Sequence, residues 1–148
     1  FRSMTLGFKI KHYFFSAFRE FFVHHHGSLE FRAKICALVI AADDNVREEY
    51  FLIVKSIGLH IYNDDDERSD LLILSTQELV KKVKDNNGLD IDSLVKSIQN
   101  ELKIIPRYAK KIDIQVLTPL LTISKDADIL SYQNNILEFL QNLKDEIL

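Results

Sequence analysis

The scarcity of glycine and proline constrains the fold of this chain more than any other feature of its sequence. Only four glycines and two prolines occur among the 148 residues. Sheet folds need many turns, and turns use glycine and proline heavily. The sequence therefore predicts a few long helices with short connections. A chain of this length is enough for one domain with a buried core.

Apolar residues spaced three and four apart predict about seven helices in a single domain. The predicted helices cover residues 5–25, 29–42, 46–61, 69–85, 90–102, 106–124 and 129–147. The second is apolar on most faces, so we expect it at the centre of a helical bundle. A capping signal at Ser75–Glu78 predicts a break in the fourth helix, and Pro119 predicts a kink in the sixth.

An aromatic segment opens the chain. Residues 1–3 precede Met4 and are typical of a purification-tag remnant, so Met4 is the predicted native start. Residues 4–27 are predicted to form an amphipathic helix that also carries Lys9, Lys11 and Arg19. Its candidate interaction residues are Phe14, Phe15, Phe18, Phe21 and Phe22. Packing on the domain's own core is one interpretation. Docking on a protein partner, pairing as a homodimer and lying on an anionic membrane stay open.

The net charge and hydropathy of the chain limit which partners and which cellular compartment we expect. A net charge of −3 lacks the basic excess of nucleic-acid-binding domains, so we expect no nucleic acid partner. The longest uncharged stretch, residues 114–124, is far shorter than the roughly 20 residues of a membrane span. We therefore predict a cytoplasmic protein, with membrane association through the first helix as the alternative. Cys36 is the sole cysteine and is predicted to be a core residue.

A weak internal repeat links two parts of the chain. Each copy has an apolar helix, a short acidic turn and a second helix. A shift of 83 residues places Asp126 on Asp43 and Ile129 on Val46. Two such helical hairpins bury both apolar faces when they face each other. The predicted fold is therefore an all-α bundle built from two facing, pseudo-repeated helical hairpins.

The first copy resembles the TerB-like family, named for the tellurite-resistance protein TerB. The family's pattern is an apolar helix ending in Ala-Asp-Gly, a small apolar residue, and a glutamate early in the next helix. Ala42, Asp43, Val46 and Glu49 match this pattern, and Asp44 stands where the family has glycine. The family includes the N-terminal domain of DjlA-type, DnaJ-like co-chaperones. The resemblance covers residues 28–148.

The second copy departs further from the family pattern. Asp126 and Ile129 match, but Ala127 replaces the glycine, and Tyr132 and Gln133 stand where the later glutamate is expected. The resemblance implies a TerB-like helical domain in stress resistance of the tellurite type or in chaperone assistance. The His-Pro-Asp motif of a J domain does not occur in the sequence. Whether the native protein continues into a J domain or carries a membrane anchor stays open.

The acidic turns are the candidate metal site. The residues concerned are Asp43, Asp44, Glu48, Glu49, Asp126 and Asp128. Carboxylate oxygens suit a hard divalent cation such as calcium, and facing hairpins would bring the two turns together. Helix capping is the interpretation that we favour, because aspartate before a helix accepts backbone N–H bonds and early glutamates suit the helix dipole. We otherwise predict no cofactor.

The sequence predicts a protein that works by contact rather than by catalysis. No histidine carries a nucleophile–base motif, and there is no glycine-rich phosphate loop. We therefore predict a non-catalytic protein-interaction module and not an enzyme. Its working surface would be the aromatic first helix or the acidic turns. The alternatives are a peripheral membrane-binding module and a divalent-metal sensor.

Overall fold

A computed structural model describes residues 27–85 and 90–148 of the chain. The predicted first helix, with its candidate interaction residues Phe14, Phe15, Phe18, Phe21 and Phe22, lies outside these residues. Every regular element in the two described ranges is helical. The predicted all-α, single-domain helical bundle is therefore confirmed.

The described elements are six α-helices and two short 3₁₀ helices. They are α1 (Gly27–Ala41), α2 (Glu49–Ile61), α3 (Asp66–Lys84), α4 (Ile91–Ile104), the 3₁₀ helix η1 (Pro106–Lys111), α5 (Ile114–Leu117), the 3₁₀ helix η2 (Thr118–Thr122) and α6 (Ala127–Ile147).

Helix α1 is the centre of the bundle, as its apolar sequence predicts. Ten of its fifteen residues are buried, including Phe31, Leu38 and Ile40. It packs against α3, α4, α6 and η1. Helix α1 meets α6, α2 meets η2, and Tyr50 in α2 is hydrogen-bonded to Gln133 in α6. Because α3, α4, α6 and η1 all pack on it, α1 is enclosed on most sides.

The connection between α2 and α3 is tight. Asn63 and Asp64 adopt positive φ angles of 54° and 65°, which asparagine and aspartate tolerate better than most residues. Gly58 lies against Ser69 so closely that a Cβ atom on it would come within 2.9 Å of the Ser69 Cα. Glycine at this position therefore lets the two helices pack side by side.

Two predicted boundaries in the first half were wrong. Helix α2 begins at Glu49 rather than at residue 46. Helix α3 begins earlier than predicted because the Asp65 side chain accepts a bond from the Arg68 N–H. It also runs without a break through Ser75–Glu78. The Thr76 hydroxyl donates to the Leu72 carbonyl inside the helix, and both Ser75 and Thr76 are buried. Their side chains therefore do not cap a new helix.

The predicted helix over residues 106–124 was also wrong, because the structure has three short pieces there. Ile112 is extended and buried, which ends η1. Asp113 then caps α5 by accepting a bond of 3.4 Å from the Val116 N–H. Pro119 lies in the first turn of η2, where its missing N–H costs no helical hydrogen bond. The effect of the proline is thus a change of helix type.

Candidate functional site

The turn after α1 is organised around the buried side chain of Asp43, which is only 5% exposed. Asp43 Oδ1 accepts a bond of 2.9 Å from the Asn45 N–H. Asp43 Oδ2 accepts a short hydrogen bond from the hydroxyl of Tyr50, a fully buried residue in the first turn of α2. The same aspartate therefore shapes its own turn and joins that turn to the next helix.

Gln133 extends this arrangement to the second hairpin. It lies in α6 and is fully buried. Its Nε2 donates to the Val39 carbonyl at 3.1 Å and to the Tyr50 hydroxyl at 3.2 Å. We call Asp43, Tyr50 and Gln133 the buried network. It connects α1, the turn, α2 and α6 by hydrogen bonds in the interior of the bundle.

Lys84 holds the outside of the same turn. Its Nζ donates to the Ala41 carbonyl at 2.9 Å and to the Asp43 carbonyl at 2.8 Å. These carbonyls lie at the C-terminal end of α1, where a positive charge is favourable and where carbonyls lack helical partners. The last turn of α3 thus supplies the cation that caps α1. The acidic turn is fixed from both α3 and α6.

The electrostatics of the buried network keep Tyr50 in its protonated form. Burial, and after it the hydrogen bond to Asp43, raises the pKa of the Tyr50 phenol well above its usual value. A phenol that holds its proton is a permanent donor to the carboxylate, not a proton shuttle. The chemistry of the network is therefore that of a structural link between hairpins.

The predicted acidic residues take different positions. Asp44, Glu48 and Glu49 are exposed on the turn and at the start of α2, while Asp43 is buried beneath them. Asp126 caps α6 by accepting bonds from the N–H groups of Asp128 and Ile129. Within the described ranges, no group of three or more histidine, cysteine, aspartate or glutamate side chains is arranged to hold a metal ion.

The same local hydrogen bond occurs in both aspartate turns. Asn45 N–H donates to Asp43 Oδ1 at 2.9 Å, and Asp128 N–H donates to Asp126 Oδ1 at 2.8 Å. The shift of 83 residues relates these two bonds to each other. It also relates Tyr50 to Gln133, which touch directly.

Three residues of the site were not predicted from the sequence, namely Tyr50, Gln133 and Lys84. The repeat offered a signal for the first two, because both occupy the same repeat position after an aspartate turn. The sequence does not indicate the role of Lys84, since its partners are backbone carbonyls that any sequence would supply.

Comparison with known protein families, with curated proteins and with solved structures found no match to this chain. None of the described helices is long and apolar enough to cross a membrane.

Proposed function

We propose that the chain is a non-catalytic, TerB-like protein-interaction module that acts in stress resistance or chaperone assistance. The buried network is the observation that carries this proposal. It joins two hairpins at positions that the internal repeat relates, and it does so at the aspartate turn on which the family resemblance rests. An interaction module needs a surface whose shape is set before the partner arrives, and a turn fixed from inside meets that need.

The working surface that we propose consists of Asp44, Glu48, Glu49 and Leu52, which we call the acidic-turn surface. Glu48 and Glu49 lie four and three residues before Leu52, so the three share one helix face. All four side chains are exposed, and Leu52 is 55% exposed despite being apolar. A basic partner segment with one apolar anchor complements such a surface in charge and in hydropathy.

Charge reversal on the acidic-turn surface tests this proposal. Cells that lack the gene receive a copy with Glu48→Lys and Glu49→Lys. A matched control copy carries Glu138→Lys and Asp145→Lys, the same change of charge at exposed positions of α6. Survival under tellurite and under heat is measured, and cross-linked partners are identified by mass spectrometry. We expect the surface variant to lose both rescue and partners, because a basic partner is then repelled.

The control variant is expected to behave like the wild type. Equal rescue and equal partners for the two variants would show that the acidic-turn surface is not the working surface. Circular dichroism on both purified variants establishes that each retains the helical fold. This measurement separates lost contact from lost structure.

A further inference from the structure

An apolar groove lies at the end of the bundle where α4, η1 and α6 converge. Its apolar lining consists of Leu102, Pro106, Leu143 and Ile147. Gln99, Lys103 and Glu146 complete the lining with polar groups. The volume is about 410 Å³, within the range of roughly 300–1,000 Å³ that is typical of apolar binding sites.

Exposed apolar side chains occur in and next to the lining of the groove. Ile147, which lines it, is 38% exposed, and Leu148, the next residue in the chain, is 64% exposed. Ile104 follows the lining residue Lys103 and is 77% exposed. Exposed large apolar side chains around a groove are typical of a binding surface.

The chain enters the described structure close to this groove. Helix α1 starts at Gly27, where a Cβ atom would come within 2.6 Å of the Tyr108 hydroxyl. Tyr108 belongs to η1 and follows the groove residue Pro106 by two positions. The 26 residues that precede Gly27 are therefore attached beside the 3₁₀ helix that forms one wall of the groove.

The residues before Gly27 are rich in aromatic side chains, which an apolar groove can bind. Phe14, Phe18, Phe21 and Phe22 follow the spacing i, i+4, i+7 and i+8, which places anchors on one face when a helix docks in a groove. A short tether gives such a segment an effective concentration of about a millimolar at the groove, far above that of a separate partner. We propose that the groove binds the aromatic side chains of residues 14–22 of its own chain.

The absence of tryptophan from the sequence allows a clean test. Phe18→Trp introduces a single tryptophan into the full chain, and long-wavelength excitation selects it over the five tyrosines. We expect blue-shifted emission, because the indole would lie among Leu102, Leu143 and Ile147. Adding Ile147→Arg is expected to shift the emission to the red, since it places a charge in the groove. Adding Tyr132→Arg is the matched control, an exposed residue 15 positions before Ile147 on the same helix, whose change should leave the emission unaltered.

Three results would overturn the proposal. The first is an emission wavelength that does not change when Ile147→Arg is added, because the segment then binds elsewhere. The second is emission that depends on protein concentration, because the occupant is then a second copy. The third is a blue shift that occurs only with vesicles containing anionic lipid, because the partner is then a membrane. The proposal does not depend on the acidic-turn surface.

A cross-linking experiment guards against a variant that fails to fold. The pair Phe18→Cys and Ile147→Cys is expected to form an intramolecular disulfide under mild oxidation. The pair Phe18→Cys and Tyr132→Cys is the control and is expected to remain reduced. Cys36 is buried and should not interfere. Equal rates of disulfide formation in the two pairs would refute docking in the groove.

Discussion

The hydroxyl of Tyr50 touches both other members of the buried network, so Tyr50→Phe tests that network most directly. The substitution keeps the ring, which is fully buried, and removes only the oxygen. Asp43 Oδ2 then loses its donor, and Gln133 Nε2 loses one of its two acceptors. No cavity larger than one oxygen atom is created, so the loss of stability reports on hydrogen bonding.

The expected loss is large for a single oxygen atom. A hydrogen bond to a charged group contributes about 1.5–3 kcal/mol and a neutral one about 1 kcal/mol. Asp43 is nearly inaccessible to water, so water replaces the lost donor poorly. We therefore expect Tyr50→Phe to lower the free energy of unfolding by about 2–4 kcal/mol.

Gln133→Leu should cost less, although it removes two hydrogen bonds. Gln133 Oε1 is buried and has no hydrogen-bond partner, so the wild-type side chain already carries a desolvation penalty. Leucine removes that penalty and keeps similar bulk. What remains are the Val39 carbonyl and the Tyr50 hydroxyl oxygen, which both lose the Gln133 donor. We expect a loss of about 1 kcal/mol, clearly smaller than that of Tyr50→Phe.

A double-mutant cycle in urea at neutral pH measures both losses and their coupling. Because each substitution removes the bond between Tyr50 and Gln133, the double variant should lose about 0.5–1.5 kcal/mol less than the sum of the single variants. In thermal unfolding, each kcal/mol corresponds to about 2–4 °C for a chain of this size. Equal losses for the single variants, or strictly additive losses, would refute the network as described.

Three further predictions address the rest of the structure. Lys84→Met should destabilise the protein by about 1 kcal/mol in urea unfolding, because two carbonyls at the end of α1 lose their cationic donor; a change within error would contradict the capping role. Asp126→Ala should cost about 1 kcal/mol through loss of the α6 cap, whereas the exposed control Asn134→Ala should cost little. Burial raises the pKa of the Cys36 thiol to about 12, against about 8.5 in an unfolded chain. Its contribution to stability is thus complete below about pH 8.5 and is lost as pH rises from there toward 12; Cys36→Ala should flatten the alkaline part of the stability profile.

The helices could be predicted where the spacing of apolar residues alone determines their position. The centre of the bundle followed from the unbroken apolar run of α1, and the start of α4 followed from Asp90, whose side chain accepts a bond from Ser93 N–H. The region after Pro106 was not predictable in this way. A buried, extended Ile112 interrupts its helical spacing, and periodicity does not distinguish a buried extended residue from a helical one.

The buried network was only half visible in the sequence. An aspartate before a helix predicts a local cap. Asp43 accepts a bond from the Asn45 N–H, but this bond closes the turn and caps no helix, because α2 begins at Glu49 and has no side-chain cap. The remaining bonds join residues up to 94 positions apart, and such pairings depend on tertiary packing. The short-range pattern therefore indicated the turn but not the partners that fix it.

The internal repeat relates the two residues that meet across the buried network. Tyr50 and Gln133 are equivalent under the shift of 83 residues, and they are hydrogen-bonded.

The two equivalent residues are chemically different. Two tyrosines would present two hydroxyls of the same kind, whereas here the glutamine amide donates to a hydroxyl that in turn donates to Asp43. Only one aspartate is then drawn into the interior, and the equivalent Asp126 is left exposed as a simple cap. The two equivalent turns therefore differ in role, since Asp43 joins elements in the interior and Asp126 caps α6 at the surface.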